Sequence, residues 1–167
     1  MRVSGVEEET RGDPHEVARE NARRKANAVA APGEVVLGAD TIVVLDGEIL
    51  GKPRDEEQAR EYLGRLAGRT HAVVGGVSIV GRGEFVETTE VNFAALDRTT
   101  VEWYVRSREW EGRAGGYAIQ GRGATLIAGI RGDYLNVVGL PLARLLELHP
   151  DLHPATPISR GSVAGVR

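Results

Sequence analysis

Apolar and polar positions change period several times along the chain, and each change marks an element. At 100° per residue, Val17, Ala18, Ala22, Ala28 and Val29 share one arc, with Arg19, Glu20, Arg23, Arg24 and Asn27 on the other side. That pattern predicts an amphipathic helix. Asp13-Pro14-His15-Glu16 supplies its start: Asp13 can cap, Pro14 suits the first turn and Glu16 completes a capping box. The helix is expected to run to about Ala31 and to stop at Pro32-Gly33. Residues 35–45 are then almost continuously small or apolar, and Asp46-Gly47 separates them from a short run at 48–50. An Asp-Gly pair between apolar runs predicts a hairpin. A two-residue turn there sets Leu45 opposite Glu48 and, further along, Thr41 opposite Lys52.

Pro53 and Asp55 open a second predicted helix, with Ala59, Tyr62, Leu63 and Leu66 on one face and Gly68 as its stop. Residues 70–80 and 84–93 read as two strands joined at Gly81-Arg82-Gly83. Asp97 caps a third helix carrying Val101, Tyr104 and Val105. After the glycine-rich stretch 114–123, residues 124–139 read as another hairpin, turning near Arg131-Gly132. Pro141 opens a last helix over 142–149. From Pro150 the chain has no periodicity and is expected to form a loose tail, 150–167, behind a domain over 1–149. Strands and helices alternate with hairpins mixed in, which predicts an α/β protein with a mixed sheet.

Two polar residues break these apolar patterns. Asp40 sits in VVLGADTIVV, and a buried carboxylate costs several kcal/mol unless something pairs with it. Lys25 falls in the middle of the apolar arc of the first helix, with Asn21 beside it, so it must snorkel outward or meet an anion. Lys52 lies within one rung of Asp40 by the hairpin register. Each has a structural reading when taken singly: a strand-end carboxylate held by backbone amides, a snorkelling lysine, a solvated turn lysine. Taken together they suit a bound phosphate and a metal, because lysines neutralise phosphoryl oxygens and a carboxylate holds a metal or takes a proton from water. Glu8 adds a second carboxylate or belongs to a solvated acidic face. Gln120, between Ile119 and Gly121, reads a base edge or pins a turn.

Composition narrows the classes. With 21 basic and 24 acidic side chains the net charge is −3, no basis for broad nucleic-acid or membrane attraction. There are no cysteines, which excludes disulfides and zinc–thiolate sites. No run has the length of a membrane span and Met1 is followed by acidic sequence, so a cytoplasmic protein is expected. The chain carries no G-x-x-x-x-G-K-[ST] phosphate loop. The histidines form no metal set.

Five segments carry a resemblance: KANAVA (25–30), VLGADTIVVLDGEILGKPRD (36–55), LAGRTHAVVGGVSIV (66–80), AGGYAIQGRGA (114–124) and GDYLNVVGLP (132–141). In this order, over roughly residues 4–149, the chain resembles the Maf family of nucleoside triphosphate pyrophosphatases, also described as septum formation inhibitors. The resemblance implies an elongated α/β fold with a mixed sheet, flanking helices and a cleft between two lobes, shared with inosine-triphosphate pyrophosphatases. It implies hydrolysis between the α- and β-phosphates with a divalent metal, magnesium or manganese. By resemblance Asp40 is the proton acceptor, Lys25 and Lys52 contact phosphates, Glu8 and Asp40 lie at the metal, and Thr41 and Gln120 bear on base selection. YAIQG is similar to the branch acting on dTTP and UTP. Homodimers occur among family members, and no nucleic-acid or membrane partner is expected.

The family's opening strand, its S-x-S-P-R-R loop and the helix after it have no counterpart here. The expectation is that the true start lies upstream of Met1, and that the 167-residue form is less active and less stable than a longer one. The competing expectation is a non-catalytic nucleotide- or partner-binding regulator of division.

Overall fold

The computed structural model describes residues 5–153 and 155. In chain order the elements are α1 (Pro14–Ala28), β1 (Leu37–Leu45), β2 (Glu48–Leu50), α2 (Glu56–Leu66), β3 (Thr70–Ile79), β4 (Gly83–Phe93), α3 (Arg98–Ser107), β5 (Ile127–Arg131), α4 (Tyr134–Val138) and α5 (Leu142–Leu148). Ala114–Gly116, Gly121–Leu126 and Pro150–Leu152 form 3₁₀ turns.

The strands form one five-stranded sheet in the order β2-β1-β3-β4-β5. The expected mixed sheet is corrected here, because every pairing among the described residues is antiparallel. The reason lies in the connections. Asp46-Gly47, both at positive φ, turn β1 back beside β2, and the three residues Val80-Gly81-Arg82 turn β3 back beside β4. Short turns of this kind join antiparallel neighbours, whereas parallel ones need a long crossover. The first hairpin has the expected register, Leu45 opposite Glu48, but the ladder ends at Val43 opposite Leu50. Thr41 and Lys52 are therefore not paired. Towards its start β1 has β3 on one side and no strand on the other among the described residues.

Side-chain alternation divides the molecule between the two sheet faces. Ile42, Val44 and Val74 turn towards α1, where they pack with Val17 and Ala18. Val43, Leu45, Val73, Val91 and Phe93 turn the other way, onto Leu63 and Leu66 of α2 and Tyr104 of α3. Further along that second face, Val77 and Ile79 pack with Leu145 of α5 and with Leu152. Two apolar clusters thus share one face, and a cleft opens beside the first, against Val43, Val73 and Tyr117.

Three boundaries and one helix face differ from expectation. α1 ends at Ala28, not Ala31: Val29 N–H and Ala30 N–H bond to the carbonyls of Ala26 and Asn27, tightening the turn ahead of Pro32. Ala28 is exposed while Ala26 is buried, so the inward face is Ala18, Asn21, Ala22, Lys25 and Ala26. The predicted hairpin over 124–139 is instead β5 followed by α4. Asp133 caps Leu135 N–H at 2.7 Å, and the buried Asn136 side chain donates to the carbonyls of Val73 and Glu87 and to Thr89 Oγ1. Those bonds hold 133–136 against β3 and β4 as a helical turn, and β5 pairs with β4. The segment expected as a loose tail begins with the ordered turn Pro150–Leu152, in which Asp151 pairs with Arg82. Residues 154 and 156–167 of that segment lie outside the described residues.

Candidate functional site

α1 brings the first site residues into place. Its small face lets the helix lie directly on the sheet: a Cβ added at Gly38 would stand 2.2 Å from Ala22 O, and one at Gly76 2.1 Å from Ala18 O. Only glycine in β1 and β3 permits that approach. Asn21 and Lys25 are one turn apart on this face, so both reach Asp40 of β1. Lys25 Nζ donates to Asp40 Oδ1 at 2.5 Å, and Asn21 Nδ2 donates to Asp40 Oδ2 at 3.0 Å. The Asp40 side chain is 3% exposed and has a partner on each oxygen. That is what holds a carboxylate inside a buried strand.

The segment before α1 closes the cluster. Lys25 Nζ also donates to Glu8 Oε1 at 2.6 Å, and Lys52 Nζ meets both oxygens of Glu8, at 2.7 and 2.6 Å. Lys52 therefore reaches Asp40 through Glu8 and Lys25 rather than across the hairpin ladder. Burial opposes ionisation of Glu8, but the hydrogen bonds from Lys25 and Lys52 outweigh it and hold its carboxyl below the usual range. Burial likewise disfavours the Lys25 ammonium, and the bonds to Asp40 and Glu8 overcome it and raise its pKa. Glu8 and Lys25 both stay charged at neutral pH.

Glu8, Lys25, Asp40, Thr41 and Lys52 line one end of the cleft, where β1 has lost its β2 neighbour. The other walls are Val43 and Val73 from the sheet, residues 112–114 and 117–120 from the glycine-rich stretch, and Val137 and Val138 from α4. The space is about 790 Å³ counted out to its open mouth. One end carries the charged cluster; the rest of the lining is mainly apolar, with Arg113 and Gln120 among it. Tyr117 forms part of the apolar wall, its hydroxyl turned away to His71 Nε2 at 2.7 Å. Gln120 lines the cleft, with its backbone extended at the start of the second 3₁₀ turn.

All six residues singled out in the sequence, Glu8, Lys25, Asp40, Thr41, Lys52 and Gln120, thus border one cavity. Four of them form the charged cluster, while Thr41 and Gln120 stand apart from it as wall residues. Asn21 was noted in the sequence only as a neighbour of Lys25. Its bonds to the Glu9 backbone depend on where residues 5–11 fold back, which no local pattern announces. Tyr117 and the α4 valines were likewise missed as cleft residues.

Glu8 and Asp40 are the carboxylates available to a metal, and no group of three or more His, Cys, Asp or Glu side chains placed for one occurs among the described residues. The two already share a cation, the Lys25 ammonium, so positive charge between them is accommodated. Two carboxylates completed by waters and phosphate oxygens suit magnesium or manganese, which seldom take an all-protein cage.

The model of the family described as Maf-like protein matches residues 1–151. A dTTP/UTP pyrophosphatase of Symbiobacterium thermophilum is 54% identical over 140 residues, 81% of this chain and 72% of that protein. A dTTP/UTP pyrophosphatase of Pyrococcus furiosus is 47% identical over 141 residues, 81% of this chain and 74% of that protein. One from Bacillus mycoides is 46% identical over 152 residues, 87% of this chain and 80% of that protein.

Proposed function

The chain belongs to the Maf-like family, and on that premise we propose that it is a nucleoside triphosphate pyrophosphatase acting on dTTP and UTP. The observation that carries the reading is the cluster of Glu8, Lys25, Asp40 and Lys52 at one end of a cleft whose remaining lining is mainly apolar. A triphosphate fits the charged end and a pyrimidine with its sugar the rest.

Each residue then has a part. Lys25 and Lys52 exchange carboxylate oxygens for phosphate oxygens when substrate enters, gaining partners of higher charge. That exchange frees Asp40 Oδ1, while Asn21 still holds Oδ2. Asp40 accepts a proton from the attacking water as its oxygen bonds to phosphorus. The bond of the α–β anhydride breaks, one product carries the water oxygen, and a nucleoside monophosphate and pyrophosphate leave. A divalent cation held by Glu8 and Asp40 supplies charge neutralisation and polarisation of the phosphates when bound. Thr41 and Gln120, which line the cleft outside the charged cluster, are the residues this reading assigns to base selection.

The test is pyrophosphate release from dTTP, UTP, dCTP and GTP with magnesium or manganese, for this chain and for Asp40→Asn. We expect release from dTTP and UTP, and a loss of about 100-fold or more in the variant, the scale of a general base removed. Equal turnover in both forms removes Asp40 from the chemistry. Nucleotide binding without release in either form would make the chain a non-catalytic binder.

A further inference from the structure

We propose that Asn21 is a positioning residue that sets both carboxylates of the site, an inference that rests on the reading above for its catalytic meaning. Its side chain is buried, with the residue 1% exposed, and every conventional hydrogen-bonding atom is engaged. Oδ1 accepts from Glu9 N–H at 2.8 Å. Nδ2 has two protons to give: one goes to Glu9 O at 2.9 Å, the other to Asp40 Oδ2 at 3.0 Å. The amide therefore grips the backbone of Glu9 from both sides, as a neighbouring strand would, and fixes the Asp40 carboxylate with the same group.

Lys25, one helical turn on, also holds Asp40, through Oδ1, and meets the side chain of Glu8, the residue before the one Asn21 grips. The two residues differ in what they have left to offer. Lys25 is half-buried at the cleft and its ammonium can be drawn to another anion. Asn21 does not line the cleft and has no proton free for a ligand. When phosphates take Lys25, Asn21 remains as the anchor of Asp40 Oδ2, leaving Oδ1 aimed at the cleft. By holding residue 9 it also keeps Glu8 within reach of Lys25 and Lys52.

Asn21→Leu keeps the approximate shape and removes all three bonds; Asn21→Ala, which cannot overpack the site, is made beside it. Both are compared with the parent for kcat and KM on dTTP, for thermal midpoint and for hydrogen exchange at the Glu9 amide. At temperatures where all forms are folded, kcat is expected to fall about tenfold or more while KM stays within about threefold, the pattern of lost positioning rather than lost binding. Exchange at Glu9 should become faster in both variants. A kcat equal to the parent's in a folded variant overturns the catalytic part, and unchanged Glu9 exchange overturns the clamp. If the parent releases no pyrophosphate, the functional reading fails by itself, and the exchange measurement still decides whether Asn21 holds the segment.

Discussion

Lys25 serves two carboxylates and Glu8 serves two ammoniums, so the charged cluster balances to zero before any ligand arrives. The two lysines are not equivalent within it. Lys25 faces a carboxylate side chain that is 3% exposed, whereas Lys52 is 48% exposed and meets only Glu8. Removing one partner of a buried pair leaves an uncompensated charge, which costs about 3 kcal/mol or more; an exposed pair contributes about 1 kcal/mol at most. Lys25→Met is therefore expected to lower stability by about 3 kcal/mol and Lys52→Met by under about 1 kcal/mol. Urea denaturation at neutral pH measures both, and equal losses would show that Asn21 alone satisfies Asp40. At this scale Asp40, Lys25 and Lys52 were legible because each departs from an apolar pattern that surrounds it. Asn21 was not, since an uncharged amide on a helix face gives no reason to expect a partner twelve residues upstream.

Helix α1 sits against the sheet through Ala18, Ala22 and Ala26 over Gly38 and Gly76, and this contact sets the depth at which Asn21 and Lys25 meet Asp40. A methyl group at Gly76 would meet the backbone at Ala18, which no side-chain rotation relieves. Gly76→Ala is expected to cost about 2 kcal/mol or more from overpacking, and to lower turnover even where folded, because the helix carries its side chains outward with it. Gly64 gives the contrast: it is exposed in α2, has ordinary φ and nothing within 4 Å of an added Cβ. Gly64→Ala should raise stability by about 0.5–1 kcal/mol through the lower entropy of the unfolded chain. Chemical denaturation of the two variants checks both signs. The sequence made most elements readable at this scale: the Asp46-Gly47 turn and the caps Asp13, Asp55 and Asp97 stand where expected. α4 was not readable, because YLNVV is rich in β-branched and aromatic residues, and its helical turn is imposed by Asp133 and by Asn136 bonding across to β3 and β4.

Across the whole molecule, His71 links the larger apolar cluster to the cleft. It packs edge-on against Phe93 and Tyr117 with centroids at 5.3 and 5.4 Å, and its Nε2 meets the Tyr117 hydroxyl. Nδ1 is buried without a partner among the described residues. Burial pushes the imidazole pKa down from 6.5 to about 4, so the folded chain keeps it neutral where the unfolded chain would protonate it. The unfolded state then binds more protons between those values, and stability must fall as pH drops from about 6.5 towards 4. The stabilisation is roughly 3 kcal/mol, fully present above the window and gone below it. About a third of it, roughly 1 kcal/mol, should be lost between about pH 6 and pH 5, before most carboxylates titrate in the unfolded chain. His71→Phe should flatten that slope at a cost of about 1 kcal/mol at neutral pH, the cost of a Tyr117 hydroxyl left without its partner. Denaturation midpoints of parent and variant across this range decide it, and parallel curves would place the acid sensitivity elsewhere. Tyr117 is held at the cleft wall by its bond to His71 and by edge-on packing on Phe93 at 4.8 Å. Protonation of one core histidine is thus expected to loosen the apolar end of the site under the same mild acid that destabilises the fold.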